Sequence, residues 1–182
     1  MQTEAVFAGF GGQGVMLAGM VLAETGMNLG REVVWLPSYG PEMRGGTANC
    51  TVIIADEPIA SPIVLHPRDI VAMNRPSLEK FCGLMRPGGY VVVNKSLIAV
   101  DPDRDDVRVV NVEANRIAIE AGSAKSANMV ILGAYVGATG VVPYEALVET
   151  AQTVLKKKPK LIPVNLKCLE QGFELGKQAR AD

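Results

Sequence analysis

Four short runs in this chain, AVFA at 5–8, CTVIIA at 50–55, IVAM at 70–73 and YVVVN at 90–94, are apolar with little or no alternation. A strand with one wet face alternates apolar and polar residues, whereas a continuous apolar run needs cover on both faces. Two further strand-like runs, EVVWL at 32–36 and VRVVNV at 107–112, complete a set of six. Helical patterns lie between or after them, at about 12–28, 76–85, 113–121, 126–138, 143–155 and 163–179. Pro76, Pro143 and Pro163 suit first-turn positions of their helices, where a missing N–H costs nothing. Strand–helix alternation followed by consecutive helices predicts a single α/β domain over 1–182. The expected form is a three-layer α/β/α sandwich, Rossmann-like, on a mostly parallel sheet. Segment 126–138, SANMVILGAYVGA, is apolar nearly all round and reads as a buried helix, in part at a subunit contact.

Charge and cysteine content narrow the function classes. The 182 residues suffice for one well-buried core, and a net charge of −1 gives no drive toward nucleic acid. Lys156-Lys157-Lys158-Pro159-Lys160 reads as a solvated turn between two helices. Cys50, Cys82 and Cys168 are odd in number, far apart and without a C-x-x-C pair, so this chain alone offers no zinc or iron–sulfur ligand set. The amino terminus lacks the basic region and cleavage site of a signal peptide. The longest apolar runs are interrupted by Glu24 or Lys125 and are too short to span a bilayer. A cytoplasmic chain is the expectation.

Between the first strand and the first helix stands AGFGGQGV, with glycines at 9, 11 and 14 in the G-x-G-x-x-G pattern. Such a turn brings backbone N–H groups close to a ligand, and the helix that follows points its positive end outward. Nicotinamide binding also asks for an acid at the tip of the second strand, where this chain has Leu36, Pro37 and Ser38. Glu42 comes too late, beyond a proline-bracketed turn. A stand-alone nucleotide-binding module and a purely structural glycine turn both stay open. The carboxamide of Gln13 either pins a neighbouring loop or meets a polar partner from outside.

The second unusual stretch is PSYGPEMRGGTAN, where a simple βαβ unit would place a helix. Ser38, Tyr39, Glu42, Arg44 and Thr47 among Gly40, Gly45 and Gly46 make a poor core and a good recognition loop. Arg44 can grip a carboxylate or phosphate in bidentate fashion, or pair internally with Glu42 and stiffen the loop.

GFGGQGV followed by PSYGPEMRGGTANCTVII resembles the gamma subunit of the 2-oxoacid:ferredoxin oxidoreductases. The likeness extends through ASPIV, DIVAMNRPSLEKF, PGGYVVVN and NMVILGAYVGATG, so it covers nearly the whole chain. The wording of the second motif is most similar to the 2-oxoglutarate branch. Members specific for pyruvate, branched-chain or aryl-pyruvate substrates are the alternatives.

The resemblance implies oxidative decarboxylation of a 2-oxoacid to an acyl-CoA with reduction of ferredoxin, the tasks being divided among chains. Thiamine diphosphate, Mg²⁺ and iron–sulfur clusters are then expected on alpha, beta and delta or ferredoxin-like partner subunits, with CoA as co-substrate. This chain would bind none of those cofactors alone and would be inactive in isolation. Consistent with that division, it has no GDG…N element for thiamine diphosphate, and no Ser–His–Asp or paired-carboxylate signature can be assembled. His66, its single histidine, precedes a proline in a loop and reads as exposed or capping.

Gly11, Gly12, Gln13 and Gly14 match the first family motif; Ser38, Tyr39, Gly40, Glu42, Arg44, Gly45 and Gly46 match the second. Both loops are expected to leave the carboxyl ends of adjacent strands and to form one edge of a shared substrate and CoA cleft. A subunit-docking role, a spacer role and self-association of the isolated chain remain open.

Overall fold

The computed structural model describes residues 2–39 and 47–181. Its strands are β1 (Gln2–Phe10), β2 (Glu32–Tyr39), β3 (Thr47–Ala55), β4 (Asp69–Ala72), β5 (Tyr90–Asn94) and β6 (Arg108–Val112). Its helices are α1 (Val15–Asn28), α2 (Arg75–Cys82), α3 (Ala114–Ala121), α4 (Ala127–Thr139), α5 (Tyr144–Leu155) and α6 (Ile162–Ala181). The apolar runs all become strands, and the helical patterns become helices within a few residues of the expected ends. The largest differences are α2, which stops at Cys82, and α1, which begins after Gly14. Pro143 is the N-cap of α5 and not a first-turn residue.

The strands form one six-stranded sheet in the order β2-β3-β1-β4-β5-β6. β1, β4, β5 and β6 pair in parallel, whereas β3 runs antiparallel to both β1 and β2. The helix α1 carries the chain from β1 to β2, two places away, and a hairpin then returns β3 into the gap. An antiparallel return needs no helical crossover.

Alternate residues of β1 serve the two faces. Ala5 and Phe7 join the larger core under α1, α3, α4, α5 and α6, while Val6 and Ala8 join a smaller one with Leu78 and Cys82 of α2. Cover on both faces explains the unbroken apolar runs.

In α4 every residue from Ala127 to Ala138 is buried, with α1, α3, α6 and the sheet packed around it. The expected subunit contact along this helix is therefore corrected: the chain's own elements cover it. Backbones of α4 and α6 approach so closely that a Cβ at Gly133 or Gly137 would overlap the carbonyl oxygens of Leu169 and Phe173. One at Gly172 or Gly176 would overlap those of Val130 and Ala134. The contacts ascend together, so the two helices run parallel, with α5 between them in sequence. Glycine is required here because the carbonyl of one helix lies against the Cα of the other.

Candidate functional site

Parallel strands end at one rim of the sheet, and the glycine loop starts there. Phe10, the last residue of β1, pairs with Thr47, the first of β3, and Tyr39 at the end of β2 pairs with Ala48. The two loops thus leave the same rim but not adjacent strands: the start of β3 lies between them. Two strand spacings put their origins roughly 10 Å apart. Gly12 and Ser38 are exposed, while Gly11, Gln13 and Gly14 are half-buried at the surface. Gly40, Glu42, Arg44, Gly45 and Gly46 lie outside the described residues, and of Tyr39 only the backbone is described.

Gly14 ends the loop with φ 78°, the left-handed conformation that favours glycine, and α1 follows directly. The Nδ2 of Asn128, in the first turn of α4, donates to the Gly14 carbonyl at 3.2 Å. A Cβ on Gly14 would sit 2.6 Å from that nitrogen. The amino-terminal ends of α1 and α4 therefore lie side by side at this rim. Neither helix has a side-chain cap or an acidic residue in its first turn, so their leading N–H groups and positive dipole ends are uncompensated by side chains. The exposed Lys125 lies in the short 3₁₀ turn at 124–126 that leads into α4 and adds a cation near the same end. Chemically, this edge can attract an anionic group; among its described residues there is no acid–base pair.

Gln13 turns inward. Its Oε1 accepts from the Phe10 N–H at 2.6 Å and from Asn74 Nδ2 at 3.2 Å, and its Nε2 donates to the Met73 carbonyl at 3.2 Å. Of the two roles open to it in the sequence, it takes the first: it pins the loop after β1 to the end of β4.

Asn74 and Asn128 lie outside both sequence motifs. Asn74 was detectable, since an asparagine directly before an Arg-Pro helix start is an N-cap signal. Asn128 gave none, being an amide inside an apolar helix.

Cys50 on β3 lies beneath the first turn of α1, its Sγ–H directed at the Val15 carbonyl 3.6 Å away. Burial pushes its thiol up to about 11, the Trp35 side chain offsetting only part. It is a neutral packing group at pH 7, not a nucleophile. His66 lies ahead of β4, near the opposite rim, where it is exposed and its Nδ1–H donates to the Leu84 carbonyl at 3.0 Å. Among the described residues no three His, Cys, Asp or Glu side chains come together at metal-binding spacing, and no helix is long and apolar enough to cross a membrane.

The layered fold has known counterparts. Residues 4–175 match the pyruvate ferredoxin/flavodoxin oxidoreductase family, and the chain belongs to that family. Over its length it is similar to the gamma-type chain. The solved gamma subunit of a keto/oxoacid ferredoxin oxidoreductase from Geobacter sulfurreducens PCA superposes with a TM-score of 0.86 at 31% identity, covering 98% of each chain. The 2-oxoglutarate synthase subunit KorC of Methanocaldococcus jannaschii is 34% identical over 98% of this chain and 96% of its own. The ketoisovalerate oxidoreductase subunit VorA of Methanothermobacter marburgensis is 40% identical over 92% of this chain. That alignment covers 35% of VorA, so the chain spans about a third of the length of this relative.

Proposed function

We propose that this chain is the gamma subunit of a 2-oxoacid:ferredoxin oxidoreductase and supplies one edge of the cleft through which CoA and the 2-oxoacid approach. The observation that carries the proposal is the rim itself: the glycine loop, the uncapped ends of α1 and α4, and the root of the Arg44 loop all leave one end of the sheet. Such an edge suits the phosphates of CoA or the carboxylate of an oxoacid. Backbone amides near Gly11, Gly12 and Gly14 receive the anionic group, Arg44 grips it from the neighbouring loop, and Gln13 with Tyr39 keeps the geometry. Ser38, Gly40, Glu42, Gly45 and Gly46 belong to the same proposed edge.

We assign thiamine diphosphate and the iron–sulfur clusters to alpha, beta and delta or ferredoxin-like subunits, in keeping with the family resemblance. Thiamine diphosphate there would supply the electron sink for decarboxylation, and the clusters would carry electrons to ferredoxin. The residues of this chain bind and orient.

The substrate we assign is 2-oxoglutarate, because the second motif is worded like that branch and a 2-oxoglutarate synthase subunit matches end to end. The test is Arg44→Ala in the assembled complex, with kcat and KM measured for CoA and for a panel of 2-oxoglutarate, pyruvate and 3-methyl-2-oxobutanoate. The proposal expects KM for CoA or the oxoacid to rise at least tenfold, as loss of one charged hydrogen-bonding group gives. It also expects 2-oxoglutarate to have the highest kcat/KM. Loss of co-purifying subunits with unchanged KM in the residual complex would show a docking loop instead.

A further inference from the structure

We infer that Asn74 and Gln13 are a pair of positioning residues that set the backbone of the glycine loop, so that the loop's amides and not the Gln13 side chain face a ligand. The inference rests on the reading of that loop as a cleft edge.

Three segments meet at this pair. Phe10 belongs to the end of β1, Met73 follows β4, and Asn74 caps α2 by accepting from the Ser77 N–H at 2.9 Å. Both acceptor positions of Gln13 Oε1 are used, by Phe10 N–H and Asn74 Nδ2, and one of its amide protons goes to Met73. Asn74 is only 4% exposed. The backbone of Met73 is itself held, its N–H donating to the Ala8 carbonyl at 2.8 Å. Gly9 admits the carboxamide, since a Cβ there would lie 2.6 Å from Gln13 Oε1. The loop is thereby referenced to the sheet and to α2 at once.

A simpler role would make Asn74 only the cap of α2. The two functions use different atoms: Oδ1 caps Ser77, and Nδ2 holds Gln13. Asn74→Asp separates them. An aspartate keeps a capping oxygen but presents a second acceptor to Gln13 Oε1, and protonation at low pH returns a donor. Gln13→Glu perturbs the other contact, setting a carboxylate oxygen against the Met73 carbonyl.

The experiment is amide hydrogen exchange on the purified full chain, followed by kinetics of the assembled complex. In N74D at pH 8 the Phe10 amide should lose protection roughly tenfold, the equivalent of one hydrogen bond. The Ser77 amide should keep its protection, and lowering the pH toward 4 should recover Phe10. Q13E should behave likewise at Phe10. In the complex, KM for CoA should rise severalfold at pH 8 with kcat within about twofold. Wild-type protection of Phe10 in both variants at pH 8 overturns the inference. So does an equal loss at Phe10 and Ser77 in N74D, which would make Asn74 a cap and nothing more. Lost protection at Phe10 with an unchanged KM for CoA upholds the positioning pair and refutes the cleft reading.

Discussion

The phenol of Tyr135, in the middle of α4, donates to Oδ2 of Asp69 at the start of β4, across 3.0 Å. The other carboxyl oxygen accepts from the Tyr90 N–H at 2.9 Å, and Asp69 is 1% exposed. Phe7 packs edge-on against the same tyrosine ring, with centroids 5.5 Å apart. This polar bridge ties α4 to the sheet at the end opposite the glycine loop.

Burial holds the Asp69 carboxyl above the ordinary carboxylate range, with the two hydrogen bonds and Arg68 pulling only part of the way back. Folded Asp69 therefore binds its proton more tightly than the unfolded chain does. Its contribution to stability is present below the unfolded value of about 3.9 and is lost as pH rises through the folded value. Asp69→Asn keeps the shape without the charge, so the variant should gain on the wild type between pH 4 and pH 7. Urea midpoints at both pH values check this; a difference of constant size would assign no titration to Asp69.

The close passage of α4 along α6 makes a second prediction. Gly172→Ala forces a methyl group onto the Val130 carbonyl and should destabilise by about 1–3 kcal/mol through backbone displacement. Gly83 is the contrast: it has φ −66° and ψ −17°, and a Cβ there meets no atom within 4 Å. Gly83→Ala should stabilise by about 0.4–1 kcal/mol by restricting the unfolded chain. Chemical denaturation of the two variants beside the wild type reads both signs. Equal effects would mean that the helix contact is softer than its geometry.

Thiol chemistry makes a third. Cys50, Cys82 and Cys168 are all buried, and burial is the largest cause raising each thiol. At pH 8 the folded chain should release almost no chromophore from a disulfide reagent such as DTNB, and all three cysteines should react once it is denatured. Rapid modification of Cys50 in the folded chain would contradict its place beneath α1.

Much of this arrangement was legible in the sequence, for local reasons. The unbroken run YVVVN becomes β5 with every residue buried, and Pro76 falls in the first turn of α2 as expected. The position of β3 was not legible: CTVIIA reads the same whether its neighbours run parallel or antiparallel, because side-chain alternation carries no strand direction. The apolar circumference of α4 foretold burial but not its cover. That comes from Gly172 and Gly176 on α6, a helix that mixes apolar and polar residues and so gives no such signal of its own.

The candidate site divides along the same line. Its glycine turn and the helix that follows could be read from eight consecutive residues. The inward turn of Gln13 could not, because its partner Asn74 stands 61 residues further on, and a carboxamide bonds equally well to a loop or a ligand. By itself the sequence determined which segments form strands and helices and which turns require glycine, since sterics and hydrophobic periodicity act within a few residues. Tertiary structure alone decided that β3 separates the two loops, that α6 covers α4, and which amides face the rim, since each depends on groups that only the folded backbone brings together.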